Sequence, residues 1–156
     1  MDPLPHRYAA SASARRSGDV TLDAADAPSL SSATPPEFAG TAELWSPETL
    51  LVAAIADCLV LTFRGMARAS GLEWQSLSAH VNGTLDRVGD GLEFTQFRVL
   101  VLMTIADADD EARARRLIEK AERACLIARS LKATVELDLH IECVPVAVPA
   151  RERTTS

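Results

Sequence analysis

The chain contains one long apolar stretch, which runs from Trp45 to Gly71 and reads WSPETLLVAAIADCLVLTFRGMARASG. The stretch begins like a helix, because Ser46 can act as the N-cap and Pro47 suits the first helical position. It also ends like a helix, since Gly71 suits the position just after a helix C-terminus. Between residues 50 and 63, apolar residues occupy nearly every face, which is typical of a buried helix. We therefore predict the central helix of a protein core, too short and too charged at its flanks to span a bilayer.

Length and composition predict one globular domain. The chain has 156 residues, of which 47% are hydrophobic, and it carries a formal net charge of −6. We expect the domain to cover residues 7–145, between flexible segments at 1–6 and 146–156. The acidic charge argues against binding to nucleic acid or to an anionic membrane surface. The first residues lack the apolar core of a signal peptide, so the expected location is the cytoplasm.

The remaining pattern predicts an α+β fold with antiparallel sheets around the central helix. Short strands are expected before the helix. After it, alternation predicts a hairpin that turns at residues 88–91. The second half of its second strand is a continuous apolar run, which predicts cover on both faces. The elements predicted outside the central helix are a weak strand at 7–12, strands at 20–23 and near 29–31, hairpin strands at 72–87 and 92–105, a helix at 111–130 and a strand at 134–143.

Three cysteines, Cys58, Cys125 and Cys143, are the candidates for chemistry. They form no CxxC pair, and no histidine has metal-ligand spacing with them, so no metal site is expected. Cys143 lies on the apolar side of its strand and is expected to pack in the core. A cysteine in an apolar helix is either a small hydrophobic residue or, beside a cation, a reactive thiolate. Arg16 is a candidate for that cation, although the charge pattern alone favours a solvated turn residue.

Three segments carry a family resemblance. Residues 35–40 read PPEFAG, residues 45–58 include WSPE and end at Cys58, and residues 121–131 read AERACLIARSL. Together with the spacing of 67 residues between Cys58 and Cys125, they closely resemble the OsmC/Ohr family of thiol peroxidases. Leu126 stands where many Ohr members have proline, so the resemblance is to the OsmC-like branch.

The resemblance implies roles for individual residues. Cys58 matches the cysteine that attacks peroxide, and Cys125 matches the cysteine that resolves the product. Glu48 matches the acidic partner of a catalytic arginine, which Arg16 or the adjacent Arg15 would supply to stabilise the Cys58 thiolate. Phe38 and Trp45 are candidates for the rim of an apolar substrate pocket, with ordinary core packing as the alternative.

The resemblance also implies an activity and an assembly. The family reduces organic hydroperoxides to alcohols through a sulfenic acid and then a disulfide, without a bound cofactor. An external dithiol, lipoyl-type in some members, resets the enzyme. The family fold is an intertwined homodimer. Glu48 and Cys58 are ten residues apart, about 15 Å along a straight helix, so we expect the site to be completed at the dimer interface.

A second function stays open on the same fold. The chain could be a non-catalytic OsmC-fold dimer that binds a small apolar ligand, with the cysteines as structural residues. Reactivity of Cys58 at neutral pH separates the two, because only the enzyme needs an accessible thiolate.

Overall fold

A computed structural model describes residues 3–145 of the chain. The predicted tail at 146–156 lies outside the described residues. Contacts within the chain define two compact units, one up to Leu51 and one from Val52 onward. The single domain at 7–145 stays a prediction.

The first unit contains a three-stranded antiparallel sheet in the order β1-β2-β3. Its strands are β1 (Ala10–Ser13), β2 (Val20–Ala24) and β3 (Leu30–Ser32). The alternation in β2 places Leu22 opposite both Ala12 and Leu30. The three predicted strands therefore exist, with β1 starting three residues later than expected. A single 3₁₀ turn at Pro36–Phe38 follows the sheet.

Helix α1 (Pro47–Ser70) begins and ends where the sequence predicts. The Thr49 amide donates to the Ser46 hydroxyl at 3.2 Å, and the Ser46 amide donates to the Thr49 hydroxyl at 2.8 Å. This reciprocal arrangement satisfies two amides at the helix start, as in a capping box. At the other end, Gly71 adopts a φ of 64°, and the Leu72 amide donates to the Ala67 carbonyl at 3.0 Å. Glycine tolerates this left-handed conformation, which turns the chain out of the helix.

Only one face of α1 is buried in the single chain. The buried residues are Ile55, Leu59, Phe63 and Ala67, which follow each other at four-residue intervals. Leu61, on another face, is 52% exposed. The expectation of a helix buried on every side is therefore wrong for one chain taken alone.

The prediction that α1 is too short and too charged at its flanks to span a bilayer was also wrong. The helix has 24 residues, and by length and composition alone it could cross a membrane. Core helices of soluble proteins pass the same test, so the length does not place the chain in a membrane.

The second unit contains a three-stranded sheet in the order β4-β5-β6. Strands β4 (Ser76–Val88) and β5 (Gly91–Ile105) form the predicted antiparallel hairpin. Strand β6 (Thr134–Cys143) pairs with β5 in parallel, so the prediction of antiparallel pairing is wrong for this strand. The reason is the helical crossover between β5 and β6, which returns the chain to the end of the sheet where β5 began.

The two faces of β5 differ in burial. Side chains on one face form the core of this unit; they are Phe97, Val99, Val101, Met103 and Ile105. On the other face Leu102 is 42% exposed. The expectation that this strand is covered on both faces is therefore wrong within one chain.

The crossover contains helix α2 (Glu111–Ala124) and a short helix α3 (Leu126–Arg129). Ala114, Ile118 and Ala121 form the buried stripe of α2, as their spacing predicts. The single helix expected over 111–130 is instead broken at Cys125. Cys143 is exposed, which corrects its predicted place in the core; its thiol donates to the Ala106 carbonyl at 3.5 Å.

Candidate active site

The second unit brings Cys58 and Cys125 together. Cys58 lies in the middle of α1 and is half-buried, whereas Cys125 lies between α2 and α3 and is only 1% exposed. Each thiol is among the groups that shift the pKa of the other, so the two lie close together. The pair predicted from the family resemblance is therefore a pair of neighbours in the fold.

The break at Cys125 determines what surrounds Cys58. Cys125 has a φ of −60° and a ψ of 112°, an extended conformation between two helices. The first amides of a helix have no partner within that helix, so those at the start of α3 are free to donate elsewhere. The amides of Ile127 and Leu126 donate to the Cys58 sulfur. The backbone thereby supplies two donors to this thiol without any charged side chain.

These contacts control the acidity of Cys58. Burial raises the pKa of the Cys58 thiol, but hydrogen bonds from the Ile127 amide, the Cys125 thiol, the Leu126 amide and the Thr62 hydroxyl more than offset it. The net result is a pKa below the ordinary value of 9.0. Donors that favour the charged form lower the pKa of a thiol, and the thiolate is the nucleophile. Cys58 therefore has the surroundings of a reactive thiol.

Cys125 is shifted in the opposite direction. The pKa of Cys125 is raised from 9.0 to about 11, mainly by burial and in smaller part by the neighbouring Cys58. Backbone amides of Ala128 and Ile127 only partly counter it. At neutral pH, Cys125 is therefore a protonated thiol. Of the two neighbouring thiols, Cys58 is the more acidic.

The predicted arginine and glutamate lie in the first unit. Arg16 and Arg15 are exposed in the turn between β1 and β2, and Glu48 lies in the first turn of α1. One carboxylate oxygen of Glu48, Oε2, is buried without a hydrogen-bond partner. Within residues 3–145 no ion pair joins Glu48 to either arginine. The roles of Arg16 and Glu48 stay predictions.

Phe38 and Glu48 line the same cavity in the first unit. It has a volume of about 380 Å³, and most of its wall is apolar, with contributions from Val20, Leu22, Pro35 and Leu50. Trp45 does not line it; the Trp45 carbonyl instead accepts the Ala33 amide at 2.8 Å. A substrate-binding role for Phe38 or Trp45 stays a prediction, and the cavity makes Phe38 the better placed of the two.

The residues described here include no group of three or more histidine, cysteine or acidic side chains that could hold a metal ion. The acid-base properties of the site come from the thiol pair and its hydrogen-bond donors.

Sequence reasoning missed three contributors to this site. Two are the backbone amides of Leu126 and Ile127, which residue types cannot reveal because every residue other than proline has one. The third is Thr62, for which a signal was available. It lies four residues after Cys58, and residues at this spacing are neighbours on a helix surface.

The fold and the thiol pair define an α+β protein with two neighbouring cysteine thiols. The chain belongs to the OsmC-like protein family, whose sequence profile matches residues 40–140. It is 35% identical over 111 residues to the uncharacterized protein YmaD of Bacillus subtilis, covering 68% of this chain and 73% of that protein.

Solved structures show the same fold. An OsmC-like protein of unknown function from Vibrio cholerae superposes with a TM-score of 0.78 at 17% identity, covering 87% of this chain and all of that one (100%). An organic hydroperoxide resistance protein OsmC from Legionella pneumophila gives a TM-score of 0.69 at 22% identity, covering 91% of this chain and 100% of its own.

Proposed function

We propose that the chain is a thiol-dependent peroxidase that reduces organic hydroperoxides to alcohols. The observation that carries the proposal is the contact between a half-buried Cys58 of lowered pKa and a buried Cys125 of raised pKa. Membership of the OsmC-like family supports it, as does the fold shared with a Legionella protein named for organic hydroperoxide resistance.

In the first step, the Cys58 thiolate attacks the terminal oxygen of the hydroperoxide. A sulfur–oxygen bond forms while the oxygen–oxygen bond breaks, and the leaving alkoxide takes a proton to become the alcohol. Cys58 is thereby oxidised to a sulfenic acid, and the peroxide is reduced by two electrons. The predicted function of Arg16, with Glu48 beside it, is to stabilise the negative charge that develops on the leaving oxygen.

In the second step, Cys125 condenses with the sulfenic acid. The Cys125 sulfur bonds to the Cys58 sulfur, the sulfenic hydroxyl leaves, and the Cys125 proton completes a molecule of water. An external dithiol, which we expect to be lipoyl-type, then reduces the disulfide and restores both thiols. The mutual effect of the two thiols on their pKa values supports this step, because the step requires them to lie close together before oxidation.

The proposal is tested by peroxide-driven disulfide formation in the reduced protein. One equivalent of cumene hydroperoxide is added, and disulfides are mapped by mass spectrometry. We expect a Cys58–Cys125 bond in the wild type, a trappable Cys58 sulfenic acid in Cys125→Ser, and neither product in Cys58→Ser. Survival of all three thiols in the treated wild type would refute the proposal.

A second candidate is a non-catalytic protein that binds a small apolar ligand. The observation that favours it is the mostly apolar cavity of about 380 Å³, which Glu48 and Phe38 help to line. This candidate predicts that an apolar ligand raises the thermal midpoint while the thiols stay reduced under peroxide. Disulfide formation at one equivalent of hydroperoxide would exclude it.

A further inference from the structure

We propose that the exposed face of helix α2 is a docking surface for an acidic protein that carries the dithiol reductant of the Cys58–Cys125 disulfide. This surface, the basic stripe, consists of Arg116, Lys120 and Arg123. The inference rests on the proposed function, because it names the chemistry of the partner that resets the site. It concerns a helix face that neither the thiols nor the predicted arginine occupy.

Positive charge is concentrated in one segment of an acidic chain. Residues 111–132 contain seven arginines and lysines and three glutamates, which gives this segment a net charge of +4. The whole chain has a net charge of −6, so the remaining residues together carry −10. An acidic partner is therefore repelled by most of the molecule and attracted by this segment. Such a charge distribution orients a partner and raises its rate of association.

The exposed face of α2 carries only cations beyond its first turn. Between residues 113 and 124, the exposed side chains are Arg116, Lys120 and Arg123, and all others are half-buried or buried. Their spacing of four and three residues places them in one line about 10 Å long on the helix surface. Two glutamates of the same stretch, Glu119 and Glu122, are half-buried. The line therefore faces solvent as three positive charges.

The three cations of the basic stripe make no ion pair within residues 3–145. The arginines and the lysine that do form ion pairs in this part of the chain are Arg98, Arg113, Arg115 and Lys132. The stripe is therefore available to the carboxylates of another protein. Because these charges are exposed, their main effect is on the rate of association and on its dependence on salt, rather than on affinity alone.

The basic stripe leads to the thiol pair without covering it. Helix α2 ends at Ala124, directly between Arg123 and Cys125. Cys125 is 1% exposed, whereas Arg123 faces solvent. A protein docked on the stripe thus leaves the disulfide on the far side of the helix, about 10 Å away across one helix diameter. A dithiol on a long flexible side chain, such as dihydrolipoyl-lysine, is suited to reach around the end of α2.

The docked dithiol returns two electrons to the site by thiol–disulfide exchange. One thiolate of the partner attacks a sulfur of the Cys58–Cys125 disulfide, which forms a mixed disulfide and releases the other cysteine as a thiolate. The second thiol of the partner then attacks the partner sulfur of the mixed disulfide and releases the remaining cysteine. The two thiol protons pass to the cysteines, and the partner is oxidised to a cyclic disulfide.

The test measures how fast peptides that carry one dihydrolipoyl-lysine reduce the oxidised full-length protein. Three peptides differ only in the residues around that lysine, which are glutamates, glutamines or lysines, and free dihydrolipoamide is the untethered reductant. The protein is oxidised beforehand with diamide, and recovery of the Cys58 and Cys125 thiols is followed by peptide mass spectrometry. Rates are measured at about 0.01 M and about 0.15 M salt, between which the Debye length falls from about 30 Å to about 8 Å.

We expect the glutamate peptide to reduce the wild type at least about tenfold faster than the glutamine peptide at low salt, because complementary charge raises association rates by about 10–1,000-fold. The lysine peptide should be slower than both. The advantage of the glutamate peptide should shrink at the higher salt, since exposed charges are then screened.

The double variant Lys120→Gln/Arg123→Gln should lose most of this advantage. It should fold, because glutamine has nearly the same helix propensity as lysine and arginine. Arg7→Gln/Arg87→Gln, the matched control, changes the net charge equally at exposed residues outside α2 and should keep the advantage. All variants should react alike with free dihydrolipoamide, which carries no charge for the stripe to attract.

An equal rate for the glutamate and glutamine peptides, or an advantage that survives in Lys120→Gln/Arg123→Gln, would overturn the inference. Binding of a short DNA duplex that this variant abolishes, without any advantage for the glutamate peptide, would also overturn it and would assign the basic stripe to nucleic acid.

The failure of this inference is distinguishable from the failure of the proposed function. If the wild type forms no disulfide with hydroperoxide, the peroxidase proposal fails, and the protein oxidised with diamide still decides the role of the basic stripe. If the wild type reacts with hydroperoxide and all three peptides reduce its disulfide equally fast, the inference on the stripe fails alone. A wild type in which neither oxidant forms the disulfide would overturn both.

Discussion

At the scale of single residues, the pKa values of the two cysteines of the site are shifted in opposite directions. Only a thiolate reacts with iodoacetamide, and the thiolate dominates above the pKa. Because the pKa of Cys58 is lowered from 9.0, its alkylation rate should level off below pH 9. Cys125, with a pKa of about 11 and 1% exposure, should stay unmodified throughout this range. The exposed Cys143 reports on reagent access in the same sample. A Cys58 rate that still rises steeply through pH 9 would contradict the assignment.

The second prediction concerns the backbone amide of Leu126 and its effect on the pKa of Cys58. Leu126 donates to Cys58 through this amide, its side chain is 70% exposed, and it is the first residue of α3. Leu126→Pro should fold, because proline suits the first helical position and the residue before it already has a ψ of 112°. It removes one donor, so the pKa of Cys58 should rise and the peroxide rate should fall at pH 7 and recover at higher pH.

Leu126→Ala is the matched control for that prediction, since it removes the side chain and keeps the amide. We expect it to titrate and react like the wild type. Equal behaviour of the proline and alanine variants would mean that the Leu126 amide does not contribute to the acidity of Cys58.

Residue types alone could identify only part of the site. Cys58 and Cys125 were identified because their flanking segments resemble a family, and Thr62 lies about one helical turn after Cys58. The donors on Leu126 and Ile127 could not be predicted in this way. They depend on backbone direction after Cys125, which the residue types of the segment do not specify.

At the scale of elements, local signals predicted the helix ends well and the helix break poorly. Ser46, Pro47 and Gly71 act through contacts within a few residues, so the sequence is sufficient to identify them. Between Glu111 and Arg129 the apolar spacing continues through Cys125, and no glycine or proline marks an interruption. Burial of the Cys125 thiol beside Cys58 accompanies the break, and such tertiary contacts override helix propensity.

The capping box of α1 leads to a prediction on stability. Ser46 is 2% exposed and accepts the Thr49 amide, so Ser46→Ala leaves that donor without its partner. We expect a loss of about 1 kcal/mol in the free energy of unfolding, with a range of about 0.5–2 kcal/mol. Urea denaturation followed by circular dichroism measures it. Ser78→Ala, at an exposed position of β4, should have little effect, and an equal loss in both variants would show that the cap is not responsible.

At the scale of the whole molecule, the sequence and the single chain disagree on burial. The apolar pattern of α1 predicts cover on all faces, and the continuous apolar run in the second half of β5 predicts cover on both faces of that strand. One chain covers one face of each, and leaves Leu61 and Leu102 partly exposed at 52% and 42%. An apolar face that is exposed in a single chain can be covered by another chain in an assembly, and large exposed apolar patches often mark such interfaces. The mismatch is the reason to propose that a second copy covers α1.

The proposed homodimer is tested on the exposed face of α1. Leu61→Glu should be nearly neutral if that face meets water, but it should shift a dimer toward monomer if a second copy covers Leu61, because a charge would then be buried without a partner. Leu92→Glu, at a position that is 50% exposed at the start of β5, is the matched control. Sedimentation velocity over a range of concentrations measures the association.

Gly65→Ala also tests the homodimer, because it should stabilise a monomer but weaken a dimer. A methyl group added there meets no atom within 4 Å in the single chain. Since glycine is about 1 kcal/mol less favourable than alanine inside a helix, Gly65→Ala should stabilise a monomer by about that amount. In a dimer whose partner lies close against Gly65, the added methyl should instead weaken association. A wild type that sediments as a monomer, retains full peroxidase activity and is stabilised by Gly65→Ala would refute both the homodimer and a site completed at its interface.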